Sequence, residues 1–272
     1  MAKLLNGLEL QGYIQERQAR QVRNLRQEHG IVPRLRIIVS DNASTVIGVY
    51  MRMKQRYAAE IAIEVEVQST AFADIPAAIQ TANEDDAVQG VILQLPIDDP
   101  SKTDEYCNLI SPAKDVDGLG SGALYPSATA QAIDWLLAGY NVSLEGKHIA
   151  IVGNGKLVGG PLSRLWKSQG FSVTVLDEHS SDVDEVLRAS EVIVSAAGVP
   201  RLVKDEQVQS GAVVVDAGTS SENGVIVGDV EESVRERRDV TITPVKGGVG
   251  PLTYTVLFDH LIEACLRKAG KL

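Results

Sequence analysis

His148-Ile149-Ala150-Ile151-Val152-Gly153-Asn154-Gly155-Lys156-Leu157-Val158-Gly159-Gly160-Pro161 is the stretch on which the fold turns. An apolar run enters a glycine turn, and a helical pattern follows from about Pro161 to Gln169. The next apolar run, Val173-Thr174-Val175-Leu176, closes on Asp177 and Glu178. Strand, glycine turn and helix open a βαβ unit. The glycines let backbone approach a pyrophosphate, and the helix N-terminus offers free N–H groups and the positive end of a dipole. An acid about 20 residues further on can accept hydrogen bonds from an adenosine ribose. The spacing is G-x-G-x-x-x-G, one residue longer than the usual fingerprint. Alone it also fits a tight turn with no ligand, and Asp177 also fits a solvated turn carboxylate. The flanking strands, the helix and the placed acid favour a dinucleotide site.

Working outward, Val192–Ala196 and Ala212–Asp216 read as two more buried strands of the same half. Upstream, residues 8 to 29 form an amphipathic helix ending at Gly30, and Leu35–Val39 is a strand. A polar turn at 40 to 44 leads to a helix through Tyr50 and Lys54 to about Ile61. Ile63–Val67 alternates as a strand, a helix follows near 75 to 85, and Gly90–Leu93 is a short apolar run suited to a buried parallel strand. Helix and strand therefore alternate in both halves, the pattern of an α/β layer fold. Residues 118 to 127 are the candidate linker, and Tyr254 to Lys271 reads as a last helix. No fixed-period repeat is present.

A chain of 272 residues with 44% hydrophobic and 23% charged residues is long enough for a large core without metal or disulfide staples. A net charge of −10 disfavours nucleic-acid binding, which needs clustered Lys and Arg. Cys107 and Cys265 form no CxxC and fit free thiols in a reducing compartment. The N-terminus lacks a signal-peptide core, and no run of ~18 apolar residues is present to span a membrane. The expectation is a cytoplasmic protein with no metal site.

Four further motifs carry chemistry. Tyr50 and Lys54 lie four apart and share one helix face. A Lys whose pKa is lowered by burial can move protons, although the same spacing suits a solvated Lys. Gln94-Leu95-Pro96 and Lys114-Asp115-Val116-Asp117-Gly118 both lie where elements end, as ligand sites of open α/β sheets do, or are simple capped turns. Pro244-Val245-Lys246-Gly247-Gly248-Val249-Gly250-Pro251-Leu252-Thr253 brackets its glycines with prolines, a loop that lets backbone pass close to a ligand or another element.

Together and in this order, the motifs resemble the methylenetetrahydrofolate dehydrogenase/cyclohydrolase family along nearly the whole chain. Y-x-x-x-K is Tyr50 to Lys54, Q-L-P is Gln94 to Pro96, and K-D-V-D-G is Lys114 to Gly118. V-G-x-P is Val158 to Pro161, G-D-V is Gly228-Asp229-Val230, and the P-V-P-G-G-V-G-P-M-T loop is 244 to 253 with Lys246 and Leu252 substituted. The resemblance implies two α/β lobes with a folate cleft between them. Residues 1–120 with 254–272 would form the folate lobe and 121–253 a Rossmann-type lobe. It further implies Lys54 as acid/base, Tyr50 against the folate, and Gln94 and Asp117 holding the Lys and the pterin. Leu95, Pro96, Gly248 and Pro251 would complete the folate site. Gly153, Asn154, Gly155, Val158, Gly159, Asp177, Glu178, Ala197, Gly198 and Thr219 would hold the nicotinamide dinucleotide. The implied chemistry is oxidation of 5,10-methylenetetrahydrofolate and hydrolysis of the methenyl product to 10-formyltetrahydrofolate. The implied setting is one-carbon supply to purine biosynthesis by a homodimer.

The chain departs from the family at Ile47, at Pro126-Ser127-Ala128-Thr129 and in the shorter segment before it. It also has Asn154 where the family often has Arg, and Glu178 where it commonly has Ser. With Asp177 alongside, these residues favour NAD over NADP, because a 2′-phosphate would meet carboxylates instead of donors. Two other readings stand beside this one: a dehydrogenase of another small substrate, of shikimate type, and a non-catalytic folate- or nucleotide-binding paralogue.

Overall fold

Leu35, Ile37, Ile38 and Val39 are each at most 3% exposed, so the strand that carries them is covered on both faces, as a central parallel strand must be. The computed structural model describes residues 1–43, 45–222 and 225–272. Ser44, the last residue of the turn expected at 40 to 44, lies outside them. In chain order the elements are β1 (Lys3–Leu4), α1 (Gly7–His29), β2 (Arg34–Ser40), α2 (Thr45–Glu60), β3 (Glu64–Thr70), α3 (Ile75–Glu84), β4 (Gly90–Leu93), α4 (Thr103–Cys107), α5 (Ala128–Gly139), β5 (Ile149–Val152), α6 (Gly159–Ser168), β6 (Val173–Leu176), α7 (Val183–Ala189), β7 (Val192–Ser195), β8 (Val213–Asp216), β9 (Ser220–Glu222), β10 (Val225–Val227), α8 (Glu232–Glu236), β11 (Thr241–Ile242) and α9 (Val249–Lys268).

The chain divides into two compact units, residues 12–128 with 254–272, and residues 1–11 with 129–253. In the first unit β2 lies between β3 and β4, all parallel, with Leu35 opposite Val65 and Gly90. The Glu-Val alternation of β3 suits its place at the sheet edge, whereas β4 is buried along its length. Ile38, Val91 and Leu93 pack with Ile75, Ile79 and Ala82 of α3 and with Val88, Tyr106 and Cys107. A Cβ on Gly90 would lie 2.8 Å from Leu261 and 3.0 Å from Val116, so glycine lets α9 and the 116 segment close onto β4. The strands then deliver Ser40 and Gln94 to the carboxyl end of the sheet.

The second unit holds a parallel sheet in the order β1-β11-β8-β7-β5-β6 among the described residues. β6 lies on one side of β5 and β7 on the other, which makes the end of β5 a topological switch point, where open α/β sheets bind ligands. Ala150, Ile193 and Val214 are 0% exposed in its core, and Trp166 of α6 is fixed by donating to Asp134 at 2.9 Å.

The structure departs from the sequence reading in three places. β1 pairs with β11, Lys3 opposite Thr241 and Leu4 opposite Ile242, so residues 1–11 go with the sheet of the second unit and not with the first lobe. A two-residue edge strand carries too short a pattern to be read. α9 begins at Val249 instead of Tyr254. Pro251 falls in its first turn, where a missing N–H costs nothing. The candidate linker contains no helix or strand, but the division between units falls at 128/129, after the first residue of α5, a helix that the sequence expectation lacks.

Candidate active site

In the first unit α2 carries Tyr50 and Lys54, and the end of β4 carries Gln94. The Lys54 Nζ donates to Gln94 Oε1 at 2.9 Å, and Gln94 Nε2 donates onward to the Leu95 carbonyl at 3.0 Å. The amide is thereby pinned with its oxygen toward the Lys. Lys54 is half-buried rather than sealed, yet enough protein surrounds it for desolvation to pull its ammonium below the ordinary value, against the opposing charge of Asp117. Tyr50 is half-buried one turn before it, Leu95 is half-buried, and Pro96 is exposed after a cis peptide bond.

The Lys114–Gly118 turn shows why each residue type is needed. Lys114 Nζ donates to the carbonyls of Ala82, Asn83 and Asp85 and so closes the end of α3. Asp115 is 1% exposed, and its two oxygens accept the Gly118 and Gly120 N–H groups at 2.9 and 2.7 Å. Val116 is in the core. Gly118 has φ +69°, and a Cβ there would lie 2.2 Å from the Pro126 carbonyl oxygen. Asp117 alone has no hydrogen-bond partner for its carboxylate among the described residues. Desolvation pushes its carboxyl up to about 6, with Lys54 opposing and Asp115 adding to the rise. A neutralisable amine and a carboxylate with unused acceptors are thus placed within electrostatic reach of each other, an arrangement able to hold N–H donors and move a proton.

In the second unit the glycine turn follows β5. A Cβ on Gly159 would lie 1.8 Å from the Gly153 oxygen, and one on Gly153 would lie 2.7 Å from the Ala196 oxygen and 2.9 Å from the Ala197 Cα. Those two glycines are required by packing. Gly155 is not, since nothing lies within 4 Å of the corresponding position, and it is exposed beside Asn154. Backbone bare of side chain next to open space fits close approach of a phosphate. Val158 at the N-cap of α6 makes no side-chain hydrogen bond to the first amides of that helix, of which the Gly160 N–H donates to the Gly155 carbonyl at 3.1 Å. Asp177 and Glu178 follow β6, whose Leu176 carbonyl accepts the Gly153 N–H at 2.7 Å, so the acids stand at the strand next to the turn. Asp177 Oδ1 accepts from the His179 N–H at 3.0 Å and from the Ser180 hydroxyl at 3.2 Å, and the Glu178 side chain is 87% exposed. Thr219 is exposed, its carbonyl 3.9 Å from where a Gly198 Cβ would be. Gly248 and Pro251, expected on the folate side, belong to this unit. A Cβ on Gly7 would meet the Gly248 oxygen at 1.9 Å, and the Pro251 carbonyl accepts from Gln11 at 3.3 Å.

Behind this turn lie buried acids to which no local sequence pattern gives a role. Asp229 Oδ2 accepts the Ser195 hydroxyl at 2.9 Å and the N–H groups of Ala197 and Gly198 at 2.7 and 3.1 Å. Asp216 accepts from the N–H groups of Gly218, Asp229 and Val230 and from Arg235 at 2.8 Å. The intact Gly228-Asp229-Val230 was the one signal that pointed there.

Residues 5–117 match the family model described as the tetrahydrofolate dehydrogenase/cyclohydrolase catalytic domain, and residues 127–269 match its NAD(P)-binding domain. The bifunctional protein FolD of Streptococcus pyogenes serotype M5 (strain Manfredo) is 33% identical over 287 residues, covering 100% of both chains. Among solved structures, the bifunctional FolD methylenetetrahydrofolate dehydrogenase/cyclohydrolase of Campylobacter jejuni has a TM-score of 0.91 at 30% identity, covering 98% of this chain and 100% of that one. The Trypanosoma brucei enzyme of the same name, complexed with NADP and an inhibitor, gives 0.91 at 28% identity over 98% of each chain.

Proposed function

The chain belongs to the tetrahydrofolate dehydrogenase/cyclohydrolase family, and from that premise we propose that it oxidises 5,10-methylenetetrahydrofolate with a nicotinamide dinucleotide and hydrolyses the methenyl product to 10-formyltetrahydrofolate. The observation that carries the reading is the Lys54–Gln94 hydrogen bond of 2.9 Å, with the unpartnered Asp117 carboxylate, in the unit that matches the catalytic domain. Asp117 accepts paired N–H donors of the aminopyrimidine, as a carboxylate does from an Arg fork. Tyr50, on the same face of α2 as Lys54, lies against the pterin. Gln94 holds Lys54 in place. With its pKa lowered, Lys54 has a neutral fraction able to take one proton from the water that attacks the methenyl carbon; it returns that proton to the ring nitrogen as the carbon–nitrogen bond breaks, while the hydroxyl of the adduct loses its own proton to solvent and becomes the formyl oxygen.

The dinucleotide would be held by the Gly153–Gly159 turn, the amides of α6, and Asp177, Ala197, Gly198 and Thr219. When bound, its nicotinamide supplies the hydride acceptor. We further propose that NAD is preferred. What supports this is that Asp177 and Glu178 follow the strand beside the glycine turn, where they would repel a 2′-phosphate, and that Arg201 is taken by Glu222 at 2.6 and 3.1 Å. A cytoplasmic homodimer supplying one-carbon units to purine synthesis is the setting that family membership supports.

The test is a spectrophotometric assay of the purified chain with methylenetetrahydrofolate and each nucleotide, followed by methenyl hydrolysis. Reduction of neither nucleotide would sink the dehydrogenase reading and leave a binding protein.

A further inference from the structure

Asp229 is 0% exposed, and three donors converge on its Oδ2 while Oδ1 has no partner among the described residues. An arrangement that satisfies one oxygen three times and the other not at all is poor economy for a core residue, but it suits a residue whose oxygen holds a loop. We infer that Asp229 is the positioning residue of the dinucleotide site: through Oδ2 it fixes the 196–198 loop, and through that loop the wall against which the Gly153 turn rests.

The loop begins where β7 ends. The Ala196 N–H still donates to the Val152 carbonyl at 2.8 Å, continuing the ladder with β5. The next two amides have left the ladder, and backbone N–H groups in such a place need another acceptor. Asp229 takes both. It thereby turns the Ala197 and Gly198 amides inward and sets their backbone against the glycine turn. That contact has no slack. The position of a Gly153 Cβ is within 2.9 Å of Ala196 and Ala197 atoms, and that of a Gly159 Cβ is 1.8 Å from the Gly153 oxygen. A shift of the loop is therefore passed to the turn and to the first residues of α6.

Asp229 is itself held from behind. Its N–H donates to Asp216 Oδ1 at 2.9 Å, and Asp216 is locked by Arg235 at 2.8 Å. A Cβ on Gly228 would lie 2.0 Å from Asp216 Oδ2, and one on Gly218 would lie 2.0 Å from the Asp229 carboxyl. Gly228-Asp229-Val230 thus reads as glycine for close approach to Asp216, Asp for the loop, and Val for the core.

The inference rests on the dinucleotide reading above, and the experiment separates the two. Binding of NAD and of NADP is measured by calorimetry for the wild type, Asp229→Ala and Asp229→Asn, with dehydrogenase KM and kcat alongside. Circular dichroism and a cooperative thermal transition report that each variant is folded, and methenyl hydrolysis, whose groups lie in the other unit, reports that the loss is confined to the dinucleotide site. Removing the acceptor leaves the buried Ser195 hydroxyl and the half-buried Ala197 amide without it and frees the Gly198 amide, so Asp229→Ala should weaken dinucleotide binding by about tenfold or more and raise KM more than it lowers kcat. Asp229→Asn keeps one oxygen for the three donors and should recover most of the affinity. Dinucleotide binding by Asp229→Ala equal to the wild type overturns the inference, as does an equal loss in both variants. If neither nucleotide binds the wild type, the proposed function fails instead. Should Asp229→Ala not fold, amide hydrogen exchange of Ala197 and Gly198 decides. Slow exchange of both amides in the nucleotide-free wild type that is kept in Asp229→Asn supports the clamp, and fast exchange in a wild type that binds NAD tightly overturns it.

Discussion

Exchanging Glu178 for Ser and Asn154 for Arg together should move the cofactor preference from NAD toward NADP, and the structure sets the size of the effect. The Glu178 side chain is 87% exposed, so its interaction with a phosphate belongs at the water end of the dielectric range. There a like-charge pair about 4 Å apart costs about 1 kcal/mol. Asp177, also exposed, adds a comparable amount, because its hydrogen bonds to His179 and Ser180 engage Oδ1 and leave its charge in place. Arg201 contributes little relief, since its guanidinium pairs with both oxygens of Glu222. The sum, about 1–2 kcal/mol, corresponds to roughly a 5- to 30-fold preference for NAD in kcat/KM. The preference should shrink with added salt, as exposed charges are screened over about 10 Å at 0.1 M. The assay is kcat/KM for each nucleotide at saturating methylenetetrahydrofolate and at two ionic strengths, in wild type and double variant. A wild type that prefers NADP refutes the reasoning. So does an NAD preference that salt leaves untouched, because the discrimination would then come from shape and not from charge.

Four further outcomes are expected. Lys54→Met should lower methenyl hydrolysis by about 10²–10⁴-fold, the usual worth of general acid–base help, and hydrolysis at the wild-type rate would remove Lys54 from the chemistry. Asp117→Ala should cost folate binding a few kcal/mol, as loss of a charged hydrogen-bond partner does, whereas Asp115→Ala should lower thermal stability because Gly118 and Gly120 lose their acceptor. Asp117 acts as an anion and its carboxyl is pushed up to about 6 by burial, so kcat/KM for folate should hold above that pH and fall as pH drops through about 6; a flat profile down to pH 5 would exclude it. Gly159→Ala would place a Cβ 1.8 Å from the Gly153 oxygen, so nucleotide titration should show lost affinity and calorimetry a lower Tm, and an unchanged affinity would show that the turn can move without consequence.

The sequence by itself determined the alternation of strand and helix, because apolar runs such as Gly90–Leu93 and Ile149–Val152 are local signals that burial on both faces of a parallel sheet demands. It also determined the family, because Tyr50 to Lys54, Gln94 to Pro96 and Lys114 to Gly118 each keep their chemistry within a few consecutive residues. What it left open was anything settled by residues distant in the chain. Lys114-Asp115-Val116-Asp117-Gly118 offers two carboxylates, and only the folded turn shows that Asp115 is used by Gly118 and Gly120 while Asp117 is not. Lys3 and Leu4 are too few to announce a strand, and their partner β11 lies more than two hundred residues away. Asp229 is marked in the sequence by Gly228-Asp229-Val230, but its task appears only when the sheet brings it to Ser195, Ala197 and Gly198, 31 to 34 positions earlier in the chain. Local backbone pattern is written in neighbouring residues. The assignment of a buried donor to its acceptor is written in the tertiary structure, because the acceptor is chosen by which strands lie side by side.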